Sequence, residues 1–255
     1  MIRALVMIAA VGFALCVATL MAAIAIAGPD AFTQGGWDWV HRHRNYDYEG
    51  EVSGPTETRN FTWTGGDTLR VRAAAEIRYV QKAGPPSLTI SGPARLLDRV
   101  EIEDGGQIRA GSRHRRGSML RIVLTAPDVS KFNLSGANKL TIEGYDQDTL
   151  SLNVSGASEV DVSGQTRAVT LDISGAGDGD LSGLKAREAE VEISGAGKAT
   201  VAPTDRARLE ISGMGEIELL TRPAQLETDI SGAGRIRQPP VSQPAAAPKA
   251  GAGAT

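Results

Sequence analysis

The chain has 255 residues, 41% apolar, 22% charged and 4% aromatic, with 30 Gly and 12 Pro. This composition excludes a multispan membrane protein and a collagen repeat and fits one or two domains. A net charge of -3, from 27 Lys and Arg against 30 Asp and Glu, lacks the basic field of a nucleic-acid binder, and one Cys with three His is too little for a disulfide framework, a cysteine-rich zinc site or a choice of cysteine nucleophiles.

The first element runs from Ala4 to Ala27 without a charge. As a helix it reaches about 36 Å, enough to cross a bilayer. It ends in Ala25-Ile26-Ala27, the small-x-small pattern of a signal-peptidase site. Residues 1–27 are therefore either a cleaved signal peptide or a membrane anchor, a helix in both cases, and Arg3 on the cytoplasmic side directs everything after Gly28 outward. Residues 4–27 contact the membrane if uncleaved. Cys16 lies inside this run behind Leu15, which is too large for a lipoprotein site, and it reads as a small apolar residue.

Residues 28–50 have no steady period and read as a linker or first edge strand. Trp37, Trp39, Tyr46 and Tyr48, interleaved with Arg42 and Arg44, would suit a membrane interface. His41 and His43 have strand spacing for a shared metal but lack a third ligand.

From residue 51 to about 128 the chain is strand-rich and irregular. Strands are expected at residues 68–72, 76–80, 88–90, 99–102 and 119–124. Leu88-Thr89-Ile90-Ser91-Gly92 looks like a degenerate copy of the motif that follows, so this half reads as the opening coils of the same body.

An internal repeat then organises the chain. Six ungapped segments follow one another: FNLSGANKLTI from Phe132, LNVSGASEVDV from Leu152, LDISGAGDGDL from Leu171, VEISGAGKATV from Val191, LEISGMGEIEL from Leu209 and TDISGAGRIRQ from Thr228. Their starts lie 18 to 20 residues apart. Apolar residues alternate, which means strand, and no connector has helical periodicity. The expected fold is all-β, a parallel β-helix (β-solenoid) with coils of 18 to 20 residues over residues 51–238. Leu134, Val154, Ile173, Ile193, Ile211 and Ile230 would form one inward stack, in a tube with little room for rings. Gly136, Gly156, Gly175, Gly195, Gly213 and Gly232 would supply the turns, and the serines before them a hydroxyl ladder. Thr228 and Gln238 replace apolar positions in the last copy, as in a terminal cap. Residues 239–255, rich in Pro, Ala and Gly, form a disordered tail.

The recurring Ile-Ser-Gly-Ala-Gly unit, preceded by an irregular strand-rich half and an exported amino terminus, resembles the family called the putative auto-transporter adhesin head GIN domain. The resemblance covers about residues 51–237. It implies a bacterial, extracytoplasmic β-helix in the periplasm or cell envelope, with no catalytic motif to carry over.

Chemistry then belongs to the outer faces. One outward column reads Asn133, Asn153, Asp172, Glu192, Glu210, Asp229. Its carboxylates repel one another unless Ca²⁺, a neighbour such as Arg208, or salt relieves them. Glu159, Asp161, Asp178 and Asp180 form a second acidic patch, a candidate calcium site without a complete calcium-loop pattern. No other cofactor is implied. Arg113-His114-Arg115-Arg116, with Arg109 and Arg121 nearby, could touch lipid phosphate or an anionic glycan. The expected function is a non-enzymatic scaffold for adhesion or self-association, its partner an envelope polymer, a lipid headgroup or another protein surface. The alternative is a polysaccharide-acting enzyme using the acidic patch as acid and base. No histidine lies within the repeats to activate their serines.

Overall fold

The computed structural model describes residues 56–110 and 119–239. The signal or anchor helix at 1–27, the linker at 28–50 with its histidine pair, the cluster at 113–116 and the tail from residue 240 lie outside these. Among the described residues no helix is long and apolar enough to cross a membrane.

The described body is all-β, a single curled sheet. In chain order the strands are β1 (Thr56–Phe61), β2 (Thr68–Arg72), β3 (Ala75–Gln81), β4 (Ser87–Pro93), β5 (Val100–Glu103), β6 (Gln107–Ala110), β7 (Leu120–Ala126) and β8 (Lys131–Gly195). They continue as β9 (Lys198–Val201), β10 (Pro203–Gly213), β11 (Glu216–Leu219), β12 (Gln225–Gly232) and β13 (Arg235–Arg237), and one helical turn, α1 (Ala94–Leu97), follows β4.

Repeat periodicity becomes register. β10 pairs in parallel with β8, setting Leu209 beside Val191 and Ile211 beside Ile193, and β12 pairs in parallel with β10, setting Ile230 beside Ile211. Beyond each turn the same order holds, with Ile217 of β11 between Ala199 of β9 and Ile236 of β13. The chain at either end of β8 pairs with β8: Ala196, just past its end, donates its N–H to the Gly175 carbonyl at 2.8 Å, and Ser130, just before its start, accepts the Ser151 N–H at 2.8 Å.

Close approach of successive turns fixes the glycines. Gly195 has φ 141°, and a Cβ there would lie 2.4 Å from the Gly175 carbonyl oxygen. Gly156 meets the Gly136 carbonyl at the same distance, with φ 115°. A side chain at either position would be strained and would push two strands apart.

Alternation puts the apolar set inside. Leu134, Val154, Ile173, Ile193 and Ile211 are buried in one core that extends from Trp63 to Leu219. The expectation of continuous burial fails at the last copy, where Ile230 is 45% exposed although it sits in register with Ile211. No described strand lies beyond it. The expectation of little room for rings also needs correction. Tyr79, Phe132 and Tyr145 are among the most deeply buried side chains, with Tyr79 and Phe132 packed edge to face at 5.2 Å and 67°. The interior is wide enough for rings beside β3 and narrows to β-branched residues and glycine further along. Asn138 and Ser158 are buried at the equivalent inward position of the first two copies, and their side-chain polar atoms have no hydrogen-bond partner among the described residues.

The opening half combines two arrangements. β2 and β3 pair in parallel with β8, as opening coils would, and β6 and β7 continue them in parallel. β4, however, is antiparallel to both β7 and β1, so Leu88–Gly92 is not a coil of the repeat. Alternation places Leu88 and Ile90 inward in either strand direction, which is why the resemblance to the motif misled.

Candidate functional site

The outer face follows from the same register. Because Leu69 and Val71 point inward beside Phe132 and Leu134, Arg70 and Arg72 must point outward beside Asn133 and Ser135. β6 lies on the other side of β2, with Gln107 beside Arg70 and Arg109 beside Arg72. Two outward columns cross the sheet as a result. One runs from Gln107 and Arg70 through Asn133, Asn153 and Asp172 to Glu192, Glu210 and Asp229; the other runs from Arg109 and Arg72 into the serines.

An open groove of about 500 Å³ lies over the upper part of these columns. Arg70, Arg72 and Gln107 line one end; Asn133, Asn153, Ser135, Ser155, Ser174 and Asp172 line the rest, with Leu134 and Val154 between them. Arg70 donates to the Gly105 carbonyl at 3.1 Å, which holds its stem against the sheet. Arg72 enters no ion pair among the described residues, whereas Arg109 is held by Glu103 at 3.0 Å. At the margin, Lys131 bridges to Asp67 at 2.9 Å and, together with the Thr68 hydroxyl, holds the Asp67 carboxyl below its ordinary range. The groove offers guanidinium donors at one end and rows of amides and hydroxyls at strand spacing, about 4.8 Å, along its floor.

The acidic column keeps its charges side by side. Glu192, Glu210 and Asp229 are register partners, and with Asp172 they enter no ion pair among the described residues. Arg208 does not relieve them, since its register partner is Glu190, 3.8 Å away. Replacing Glu210 with Gln is therefore expected to raise the melting temperature at low salt by about 1–3 °C. The gain disappears in 1 M NaCl, where screening acts within about 3 Å; melts at both ionic strengths, with CaCl₂ as a third arm, measure it.

The second acidic patch has partners around it. Glu159 is bridged to Lys139 at 3.1 Å, Asp178 is in register with Lys198, and Asp180 accepts the Ser182 N–H at 2.9 Å. Among the described residues no three His, Cys, Asp or Glu come together as a metal-holding group. Glu159, Asp161, Asp178 and Asp180 thus belong to a face of mixed charge, where Lys198 also approaches Glu218 at 3.7 Å. Of the basic cluster, only Arg109 and Arg121 are described, and each is paired, Arg121 with Glu76 at 3.1 Å.

Sequence reasoning found Asn133, Asn153 and Asp172 but missed Arg70, Arg72 and Gln107. The signal was available: Leu69-Arg70-Val71-Arg72 has the in-out alternation of Phe132-Asn133-Leu134-Ser135. It lacks the Ser-Gly turn that identified the other copies, because Ala73 and Ala74 follow instead.

A model of the family described as putative auto-transporter adhesin, head GIN domain, matches residues 66–223. No curated protein matches the chain. Among solved structures, the chain is similar to a putative adhesin from Bacteroides fragilis, with a TM-score of 0.60 and 19% identity over 73% of this chain and 98% of that one. A putative lipid binding protein from Parabacteroides distasonis matches at 0.42 and 20% identity, over 74% and 98% of the two chains. A putative adhesin from Parabacteroides merdae matches at 0.42 and 14% identity, with the same coverage.

Proposed function

Because the chain belongs to the family described as putative auto-transporter adhesin, head GIN domain, we propose that it is a non-enzymatic, adhesin-like protein of the cell envelope. In this reading residues 1–27 direct export or anchor the chain, residues 28–50 are a spacer, and residues 51–238 are a β-solenoid that presents a regular polar surface. The parallel registers 18 and 19 residues apart support the solenoid. The partner is a hydroxyl-rich, negatively charged envelope polymer lying along the groove.

The observation that carries this reading is the position of Arg72 and Arg70 at the head of the asparagine and serine rows. A guanidinium without a carboxylate partner offers a fork of donors to an acidic group, while hydroxyls and amides at strand spacing match successive polar groups of an extended chain. Among the described residues the groove has no aromatic platform and no histidine. Such a site favours binding by many weak polar contacts over bond cleavage.

The test is binding of the folded protein to an acidic polysaccharide, a neutral polysaccharide and anionic lipid vesicles, followed by calorimetry. Selective binding of the acidic polysaccharide is expected, with at least a tenfold loss on replacing Arg70 and Arg72 with Ala, since each charge-assisted contact contributes about 1.5–3 kcal/mol. Glu210→Ala, outside the groove, leaves affinity within about twofold. Binding of vesicles alone, no binding at all, or affinity indifferent to the two arginines would each overturn the assignment.

A further inference from the structure

The two ends of the sheet differ. At the β1 end, antiparallel β1 and β4 lie over β7, and Leu88, Ile90 and Leu97 are buried. At the other end, among the described residues, β12 pairs only with β10 and β13 only with β11, so both present unpaired backbone groups on their outer edges, as the antiparallel β1 and β5 do on theirs. Leu226 and Ile230 on β12 are 39% and 45% exposed, whereas their register partners Ala207 and Ile211 are fully buried. Among the described residues nothing covers the inward side of the last turn of chain, and its charges are sorted by strand. β12 carries Glu227 and Asp229 outward, and β13 carries Arg235 and Arg237.

We infer that this end docks a second copy of the same chain through a twofold axis passing through the Ser231–Gly234 turn. The axis lays β12 of one copy antiparallel on β13 of the other. Counting equal distances from Ala233, Ile230 falls opposite Ile236, Asp229 opposite Arg237 and Ser231 opposite Arg235. Apolar side chains then meet inside and opposite charges meet outside, at both symmetry-related strand pairs. Asp229 and Arg235 enter no ion pair among the described residues, and Arg237 is held at the rim by Glu216 at 3.0 Å. Laying β12 on β12 instead would oppose Asp229 and Glu227 to carboxylates, and β13 on β13 would oppose arginines. Head-to-tail stacking would meet β1 and β5, both antiparallel to their neighbours and neither a continuation of the parallel register. Charge complementarity selects the twofold dimer.

Sedimentation equilibrium of the full chain in density-matched detergent tests this. A dimer is expected, with Ile230→Arg shifting dissociation at least tenfold toward monomer and Asp229→Arg doing the same. Adding Arg237→Asp to Asp229→Arg restores the dimer, which separates lost complementarity from lost folding; circular dichroism melts accompany each variant. Monomer at 100 µM, a dimer insensitive to both single changes, or an open-ended polymer would overturn the proposal. So would a full-length monomer that dimerises only after residues 240–255 are removed, because the tail would then be the occupant.

Discussion

Gly195→Val is expected to destabilise the body by at least ~3 kcal/mol, lowering its melting temperature by about 10 °C. Two effects act together. A φ of 141° lies where a β-branched residue is strained, and a Cβ would stand 2.4 Å from the Gly175 carbonyl oxygen. Neither atom can retreat cheaply, because both belong to paired backbone: the Gly175 carbonyl accepts the Ala196 N–H and the Gly195 carbonyl accepts the Met214 N–H. Separating the turns to admit the side chain breaks these bonds and opens the apolar column at Ile193. Gly144 provides the control. Its φ is 67°, but nothing lies within 4 Å of a Cβ there, so Gly144→Ala costs about 1 kcal/mol from backbone strain alone. Thermal melts of the two variants compare contact with strain; equal melting temperatures would refute the stacked-turn account.

The second large effect is alkaline destabilisation. Burial pushes the Tyr79 hydroxyl up to about 12, and burial pushes that of Tyr145 further in the same direction. Both hydroxyls donate to backbone carbonyls, Tyr79 to Ala126 at 3.0 Å and Tyr145 to Thr149. An unfolded tyrosine loses its proton near 10. Between that value and the folded one, the unfolded chain binds fewer protons than the native protein, so stability falls as pH rises. It is unaffected by these groups below pH 10 and declines from there to about 12 for Tyr79, with Tyr145 extending the decline beyond. Tyr79 alone accounts for about 3 kcal/mol. Melting temperatures from pH 8 to 12 will show this decline, and Tyr79→Phe will reduce its slope between pH 10 and 12. A variant as pH-sensitive as the parent would place the effect elsewhere.

Much of the parallel register of the sheet was legible because one pattern repeats along the chain. Each Ser-Gly copy carries its inward residues, outward residue and turn at fixed offsets, so the six copies together lay out the columns that β8, β10 and β12 form. What the alignment could not supply was strand direction or pairing across distance. Leu88–Gly92 has the right alternation but runs antiparallel, since in-out periodicity is the same in both directions. Arg70 and Arg72 reach the groove through pairing with residues far along the chain, and no turn signature marks β2 as a copy. The rings of Tyr79 and Tyr145 were hard to place for a related reason. A periodic pattern describes the narrow part of the interior, and these rings sit where β3 widens it.

The contrast between the covered and the bare end sets a direction for coming apart. Each parallel strand is held by the one before and the one after it, so stability accumulates by neighbours. Among the described residues β12 has one neighbouring strand and no buried residue. An isolated chain therefore unzips from β12 and β13 toward the aromatic interior, like a spool losing thread from its loose turn, and any partner seated on that edge lengthens the life of every coil behind it.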